Sequence, residues 1–292
     1  MNHYNNLLFS ILKLKSKILC LMPRRIVLIK GKLIGLLLYY FLPLRKKVAS
    51  TNLKIAFPDK TLYKRKKILK KCYIHFGMLI TEFLRLPYLN KLNINKIIKI
   101  DSHTKQLLKK NKPAIIMTGH FGNWELFLPM FGYNNYNISG VAQIQKNKAG
   151  EKFFNWLRNC DNSNVITKKK AIVAINEALK NEDYILLASD QNAGSKGTKN
   201  RFFNGFTSTP KGAAILNVKN NVPIIIIFIL MNKDYSYTVQ SRKLDILTKN
   251  KTNEEIVSEI NQEYNRELEK IIIKHPEQYF WFHKRMEKKY YK

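Results

Sequence analysis

Acidic residues are scarce in this chain, whose 292 residues include 20 Asp and Glu against 52 Lys and Arg, a formal net charge of +32. Asp59 is the only acid before Glu82. An excess of this size favours an anionic partner, although the abundance of Lys, Asn and Ile also indicates a compositional bias that raises the charge by itself. Near the N-terminus the basic residues alternate with apolar ones, a pattern that favours an anionic membrane surface over nucleic acid.

Cysteines are few and isolated. The three, Cys20, Cys72 and Cys160, form no CxxC pair. This spacing argues against a disulfide framework and against a cysteine zinc site, and a reducing compartment is the simplest inference. We expect the protein to need no metal and no cofactor.

A long apolar run is also missing. The best candidate, residues 33–42, is shorter than the about 20 residues that span a bilayer. Extended back to Ile26, the segment includes Lys30 and Lys32. We therefore predict a membrane-embedded or interfacial anchor over residues 26–44, with a true span left open, and no signal peptide, since no small-residue cleavage site follows. The predicted division is an N-terminal anchor, residues 1–47, and a catalytic domain, residues 48–292.

The rest of the chain alternates predicted strands and helices. Apolar runs predict strands at residues 114–117, 138–143, 184–188 and 224–230, and helical periodicity predicts helices at 62–84, 151–158, 171–180, 211–219 and 253–274. Strands that are apolar throughout are buried on both faces. We therefore predict an α/β fold with a mixed, mostly parallel sheet flanked by helices, and an N-terminal membrane-anchoring helix.

Polar side chains follow two of these predicted strands. His120 comes after the first strand, and Asp190 with Gln191 comes after the third. Ligands of open α/β sheets bind at the carboxyl ends of the strands. We expect the functional site at this edge of the sheet.

The segment from Gly119 to Glu125 carries the strongest chemical signal. His120 and Glu125 are five positions apart, so their side chains meet only if His120 lies on the loop and Glu125 in the first helical turn. A carboxylate that orients a histidine ring makes that histidine a general base. The alternative is structural, with Asn123 as a cap and Glu125 favoured by the helix dipole. Two lone ligands do not indicate a metal site.

Five segments of the chain occur in the order of one known family. They are residues 45–58, 119–125, 189–194, 202–212 and 276–281. Together they resemble the late acyltransferases of bacterial lipid A biosynthesis, the lauroyl/myristoyl transferase family of the lysophospholipid-acyltransferase-like superfamily. The superfamily signature is a histidine followed by four residues and an acid, which His120 and Glu125 match. The resemblance implies a glycerol-phosphate-acyltransferase-like fold.

The resemblance also implies residue roles. His120 resembles the general base of the family and Glu125 its orienting acid. Arg158 stands where the family has an arginine for substrate binding or catalysis, and Asp190 with Gln191 resembles a block that holds a cation or the acceptor headgroup. Asn192 departs from the family, which often has a second acid at this position.

The predicted function is transfer of a fatty acyl chain from an acyl thioester to a hydroxyl of a lipid A precursor, at the cytoplasmic face of the bacterial inner membrane. His120 would remove the hydroxyl proton. Backbone amides near Gly122 and Asn123 would bind the oxyanion. The implied partners are acyl carrier protein, or acyl-coenzyme A, as donor, an anionic glycolipid as acceptor, and the membrane surface.

Alternatives remain open at this point. The acceptor would be another glycolipid or a lysophospholipid if the same chemistry served a different lipid. The net charge and the aromatic, cationic segment 275–285 would suit nucleic-acid binding. This interpretation leaves the polar strand ends unexplained, so we predict no nucleic-acid partner. The triplet Lys168-Lys169-Lys170 would meet an anionic partner or form a solvated helix start.

Overall fold

The computed structural model describes residues 3–167 and 171–291. The triplet Lys168-Lys169-Lys170 lies outside the described residues. The helices are α1 (His3–Leu21), α2 (Arg24–Tyr40), α3 (Lys46–Ala56), α4 (Leu62–Phe83), α5 (Ile94–Ile97), α6 (Ser102–Lys110), α7 (Phe127–Gly132), α8 (Lys148–Leu157), α9 (Ala171–Lys180), α10 (Gly212–Asn220) and α11 (Asn253–Lys274).

The strands are β1 (Ile98–Lys99), β2 (Ile115–Thr118), β3 (Ile138–Ala142), β4 (Ser163–Thr167), β5 (Tyr184–Ala188), β6 (Thr198–Phe202), β7 (Gly205–Thr209), β8 (Ile224–Met231) and β9 (Tyr237–Leu244). In the described residues, seven of them form one sheet in the order β1-β9-β8-β2-β5-β3-β4. Only the β8–β9 pair is antiparallel. The predicted α/β fold with a mostly parallel sheet is confirmed, and β6 and β7 form a separate hairpin.

The most apolar strand, β8, lies near the middle of the sheet, and all eight of its residues are buried. The apolar runs predict no strand at its neighbour β9. Its sequence mixes Ser, Arg and Lys with apolar residues, and its burial alternates along its first half, as expected for a strand with one covered face. Strand β4 was also missed, because this sheet-edge strand has only one buried residue, Ile166.

Helix α2 packs closely on α4 through glycines. A Cβ at Gly35 would come within 2.3 Å of the Tyr73 carbonyl oxygen, and a Cβ at Gly77 within 2.2 Å of the Gly31 carbonyl oxygen. The face of α2 that carries Gly31 and Gly35 is therefore packed against α4. Within residues 3–167 and 171–291, no helix has the length and apolar character needed to cross a membrane. The true span left open for residues 26–44 finds no support in this helix, which has 17 residues and includes Lys30 and Lys32.

Helix α1 packs on α8. The ammonium of Lys13 lies 5.3 Å from the Trp156 ring centroid, and that of Lys152 lies 4.5 Å from the Phe9 ring centroid. The Ser16 hydroxyl donates a hydrogen bond to the Leu84 carbonyl at the end of α4. The N-terminal helices thus contact the predicted catalytic domain, and the boundary at residue 47 stays a prediction.

The aromatic segment near the C-terminus belongs to the core. Tyr279, Trp281 and Phe282 are buried, and the Asn52 side chain donates 2.7 Å and 2.8 Å hydrogen bonds to the carbonyls of Trp281 and His283. These aromatic side chains therefore pack in the core, and do not form the exposed surface that nucleic-acid binding would need. The same segment reaches the polar strand ends, because the Phe280 amide donates to the His120 carbonyl at 3.0 Å.

We predict that Gly77→Ala destabilises the protein by about 1–3 kcal/mol. A helical alanine is intrinsically better than glycine by about 1 kcal/mol, but here the added methyl meets the α2 backbone, and overpacking costs more. Urea unfolding followed by circular dichroism measures the difference. The matched control is Gly150→Ala in α8, where the nearest atom lies at 3.8 Å and stability should hold or rise. Equal stability of the Gly77 variant and wild type would contradict the close α2–α4 packing.

Candidate active site

Two neighbouring strands bring His120 and Asp190 together. Strand β2 pairs in parallel with β5, with Thr118 opposite Ala188. The Ser189 amide continues the ladder with a 2.8 Å hydrogen bond to the Thr118 carbonyl. The loops leave both strands at the same edge, so residues that are 70 positions apart in sequence become neighbours.

The Asp190 carboxylate holds His120 at two points. It accepts a 2.9 Å hydrogen bond from the His120 backbone amide and a 2.8 Å hydrogen bond from Nδ1 of the ring. Asp190 is 3% exposed, whereas the His120 side chain is 22% exposed. Because Nδ1 donates to a carboxylate, the neutral ring carries its lone pair on Nε2. Nε2 lies 3.5 Å from the Gln191 side-chain nitrogen.

The charges at this pair favour its ionised form. Burial lowers the pKa of His120, but the carboxylates of Asp190 and Glu125 raise it more, and the net pKa lies above its ordinary value. Burial raises the pKa of Asp190, but the positive charges of His120 and Arg285 outweigh burial and leave that pKa below its ordinary value. Asp190 therefore stays anionic while His120 takes up a proton.

Glu125 does not make the contact that was predicted for it. It accepts two hydrogen bonds from Arg158, from Nε at 2.9 Å and from Nη2 at 2.7 Å, and one from the Trp124 indole at 3.1 Å. In the described part of the chain, the carboxylate bonded to the His120 ring is that of Asp190. The assignment of Glu125 as the orienting acid is therefore corrected. Two features account for this: residues 124–126 form a 3-10 turn, and Arg158 at the end of α8, 33 residues away, binds the Glu125 carboxylate.

The predicted oxyanion amides are also engaged elsewhere. The Gly122 amide donates to the Gln278 carbonyl at 2.9 Å, and the Asn123 amide donates to the Ile229 carbonyl at 3.1 Å. Gly122 has φ of +57°, and a Cβ there would lie 1.6 Å from the Ile229 carbonyl oxygen, so only glycine fits. These two amides fix the loop to β8 and to the C-terminal segment, which corrects their predicted role as donors to an oxyanion.

A buried polar network holds the far side of the loop. The Asn123 side chain donates to the Tyr237 hydroxyl at 3.1 Å and to the Glu82 carboxylate at 3.4 Å. Tyr237 and Arg24 also donate to Glu82. The expected capping role of Asn123 is replaced by these contacts. Glu82 has no sequence signal beyond being an isolated acid in an apolar helix.

His75 supports the same loop from α4. Its Nε2 donates to the Gly122 carbonyl at 3.2 Å. Burial lowers the pKa of His75 to about 4, although the hydrogen bond to Gly122 raises it. The ring is therefore neutral at pH 7. His75 thus supports the loop that carries His120.

A cavity of about 340 Å³ opens beside the His120 ring. Its polar wall comprises Thr118, His120, Glu125, Gln143, Gln145, Arg158 and Gln191, and its apolar wall comprises Trp124, Phe127, Leu128, Gly140, Val141, Ala142, Val165, Leu186 and Ala188. The volume lies in the range of small-molecule sites. A cavity with one apolar wall, and with a histidine and a guanidinium on its polar wall, suits a molecule that has a polar group and an apolar tail.

Four of the predicted site residues line the cavity, namely His120, Glu125, Arg158 and Gln191. Asp190 lies behind His120, while Gly122 and Asn123 fix the loop. In the described residues, no group of three or more His, Cys, Asp and Glu side chains is arranged to hold a metal ion. Arg285 was missed: it is 2% exposed, its side chain donates to Asn265 at 2.8 Å, and its charge acts on Asp190.

The chain is similar to known proteins over nearly its whole length. A family model described as bacterial lipid A biosynthesis acyltransferase matches residues 2–288. The lipid A biosynthesis palmitoleoyltransferase of Escherichia coli (strain K12) is 21% identical over 274 residues, covering 90% of this chain and 86% of that protein. A lipid A biosynthesis acyltransferase of Haemophilus influenzae is 29% identical over 255 residues, covering 82% and 77%. The match includes the N-terminal helices as well as the cavity.

We predict that Asp190→Asn lowers the pKa of His120. The substitution removes the strongest interaction that raises this pKa, while burial, which lowers it, remains. An NMR titration of the His120 ring measures the change. Glu125→Gln is the matched control, and its effect on the pKa should be smaller, because Glu125 acts on His120 without a hydrogen bond. A larger fall in Glu125→Gln than in Asp190→Asn would restore Glu125 as the main partner of the ring.

Proposed function

Because the chain belongs to the family of bacterial lipid A biosynthesis acyltransferases and is an acyltransferase, we propose that it transfers a fatty acyl chain from acyl carrier protein to a hydroxyl of a lipid A precursor. The observation that carries the proposal is the His120–Asp190 pair at the polar side of an apolar cavity. The family supports acyl transfer in lipid A biosynthesis. The donor, the acceptor hydroxyl and the residue roles are our proposal.

In the proposed mechanism, Nε2 of His120 removes the proton of the acceptor hydroxyl. The hydroxyl pKa lies far above 7, so the oxygen attacks the thioester carbonyl only as its proton leaves. Asp190 holds the ring in the tautomer that exposes the Nε2 lone pair and stabilises the imidazolium. The proton then passes from Nε2 to the thiolate that leaves when the carbon–sulfur bond breaks.

Arg158 is the proposed donor to the oxyanion. It uses Nε and one Nη2 hydrogen for Glu125, which leaves its other N–H groups for a ligand in the cavity. The side chain is fixed by Glu125 and lies over the rings of Phe83 and Phe154, at 5.5 Å and 5.3 Å. A guanidinium held in this way needs little reorganisation when negative charge develops on the carbonyl oxygen. Glu125 then acts by positioning Arg158.

The apolar wall of the cavity is the proposed site for the acyl chain. Val141, Val165 and Leu186 line the cavity and are half-buried, so a chain that enters beside His120 replaces water on an apolar surface. Each buried methylene contributes about 0.8 kcal/mol to binding. Another glycolipid or a lysophospholipid would satisfy the same geometry as acceptor. The family match favours the lipid A precursor.

We predict that His120→Ala lowers kcat for acyl transfer by about 10²- to 10⁴-fold, the usual contribution of a general base. Asp190→Asn should lower kcat by at least about 100-fold, because an amide that donates to Nδ1 moves the ring proton to Nε2. Transfer of labelled acyl groups from acyl carrier protein to a purified lipid A precursor measures both variants.

The control for this assay is His103→Ala, which replaces an exposed histidine of α6 and should leave kcat unchanged. Equal rates in wild type and His120→Ala would overturn the mechanism. If wild type acylates a lysophospholipid but not the lipid A precursor, the chemistry stands and the acceptor assignment is wrong.

The proposed place of action is the inner membrane surface, which the N-terminal helices would contact. The exposed apolar residues of α1 recur at the spacing of one helix face and are Tyr4, Leu7, Ile11, Leu14, Ile18 and Leu21; those of α2 include Ile26, Ile29, Leu33, Leu37 and Tyr40. Exposed Lys15, Lys17, Arg25 and Lys30 accompany them. An apolar face with cationic edges suits the interface of an anionic bilayer.

We predict that the protein cosediments with vesicles of phosphatidylglycerol and phosphatidylethanolamine, and that a Leu7→Glu/Leu14→Glu variant does so much more weakly. Two carboxylates on this face replace apolar burial with charge repulsion. The control is Ile172→Glu, which changes an exposed residue of α9 that is 71% exposed and should leave binding unchanged. Equal loss of binding in both variants would contradict a role for the α1 face.

A further inference from the structure

Two of the segments that resemble the family, residues 45–58 and 276–281, have no role in the chemistry proposed above. The structure brings them together at Arg45, whose guanidinium donates a 3.3 Å hydrogen bond to the Phe282 carbonyl. The C-terminal segment also contacts the loop that carries His120. Arg45 therefore lies against a segment that borders the active site.

Two aromatic side chains lie between this contact and the base. The Phe282 ring centroid is 5.4 Å from that of Phe280, and the Phe280 ring centroid is 6.0 Å from that of His120. Phe280 and His120 are both half-buried. A ligand with a headgroup larger than one sugar ring can therefore contact Arg45 and His120 together.

His283 adds a second donor at this place. Its side chain is half-buried, and its Nδ1 is buried without a hydrogen-bond partner among the described residues. An N–H group without an acceptor is costly, so the neutral ring carries its proton on Nε2. Burial lowers the pKa of His283, Asp190 raises it, and the charges of His120, Arg285 and Arg45 lower it, which leaves the pKa below its ordinary value. The ring is neutral at pH 7, and cations from three segments lie near it.

The positive charge around Arg45 is not balanced by acids of its own segment. Asp59 is the only acid before Glu82, and Arg45 is followed directly by Lys46 and Lys47. These three residues form the N-terminal end of α3, whose first turn has no acid. The helix dipole disfavours cations at this end and favours an anion. A bound anionic group would balance both the side chains and the dipole.

The neighbouring residues indicate that the anion belongs to a lipid. Phe41, Leu42 and Leu44, which precede Arg45, are exposed and apolar. They continue the exposed apolar residues of α2 that are proposed above to contact the bilayer. Cationic side chains next to such residues lie at the level of the lipid headgroups.

We propose that Arg45 and His283 bind a phosphate group of the acceptor lipid while the acceptor hydroxyl lies at Nε2 of His120. The proposal rests on the acyl transfer proposed above and adds the contact that selects a phosphorylated acceptor. Arg45 uses Nη1 for the Phe282 carbonyl, which leaves Nε and Nη2 for two oxygens of one phosphate. The Nε2–H group of His283 donates to a third oxygen, which a carboxylate does not have.

The experiment measures kcat and KM of the full-length enzyme for a phosphorylated lipid A precursor and for the same lipid after a phosphatase has removed its phosphates. Wild type is compared with Arg45→Gln and His283→Gln. The matched control is Lys54→Gln, which removes an exposed cation at the other end of α3. We expect Arg45→Gln to raise KM for the phosphorylated acceptor by about 10- to 100-fold, the effect of losing hydrogen bonds to a charged group. Its kcat should stay nearly unchanged, because the lost contact is made equally before and during the reaction.

His283→Gln should raise this KM less than Arg45→Gln, and Arg45→Lys should recover part of the loss because it keeps the charge. With the dephosphorylated acceptor, each variant should have the KM of wild type. An equal rise of KM for both acceptors, or no rise, in a folded Arg45→Gln enzyme would overturn the inference. An equal rise in Lys54→Gln would also overturn it, since net charge rather than a site would then be responsible.

The bilayer is a second source of phosphate groups. If Arg45→Gln weakens cosedimentation with phosphatidylglycerol vesicles but leaves KM for the acceptor in detergent micelles unchanged, the residue binds bilayer phospholipid and its assignment to the acceptor is wrong.

A readout without turnover separates this inference from the proposed function. If wild type transfers no acyl chain, the proposed function fails. Calorimetric titration with the phosphorylated and the dephosphorylated lipid in micelles then decides the inference. Tighter binding of the phosphorylated lipid that is lost in Arg45→Gln supports it, and equal binding of the two lipids by wild type contradicts it.

Discussion

The hydrogen bonds between the Asp190 carboxylate and His120 are the constraint on which the active site depends. One carboxylate fixes the backbone of His120 and also its ring, and it can do so only because β2 and β5 are adjacent and in register. The same β5 pairs with β3 on its other side. Strand β5, which leads into Asp190, therefore also lines the cavity through Leu186 and Ala188.

The loop that carries His120 is fixed independently at several points. Gly122 bonds to His75 of α4 and to Gln278 of the C-terminal segment, and the Asn123 amide donates to Ile229 of β8. The backbone amides of residues 120–123 all donate to protein groups. In the proposed mechanism the loop backbone therefore positions His120, and side chains bind the reacting carbonyl. The conformation of residues 119–125 therefore depends on segments that lie far apart in sequence.

Much of the fold was predictable because its signals are local. The bounds of α9, α11 and β5 agree with the apolar runs and periodicity of the sequence. The two polar strand ends were expected at one edge of the sheet, where the structure brings them together. The acid that bonds to the His120 ring was not predictable. The spacing of the two residues along the chain pointed to Glu125 as the partner of His120. The carboxylate that reaches the ring is decided by strand order, and by Arg158, which lies 33 residues from Glu125 and binds it. The glycines of α2 and α4 likewise look like ordinary apolar-helix residues until the two helices are placed together.

In the proposed mechanism the two acids have different roles, and each role sets its own requirement on the carboxylate. A carboxylate that stabilises an imidazolium has to stay ionised when buried, and the charges of His120 and Arg285 keep the pKa of Asp190 low. Glu125 is bound twice by Arg158, so much of its charge is balanced within the pair. Its effect on His120 is correspondingly smaller, while its oxygens fix the direction of the guanidinium. A base needs a neighbouring negative charge, and an oxyanion needs a fixed positive one. Two separate acids allow both conditions to hold within one cavity.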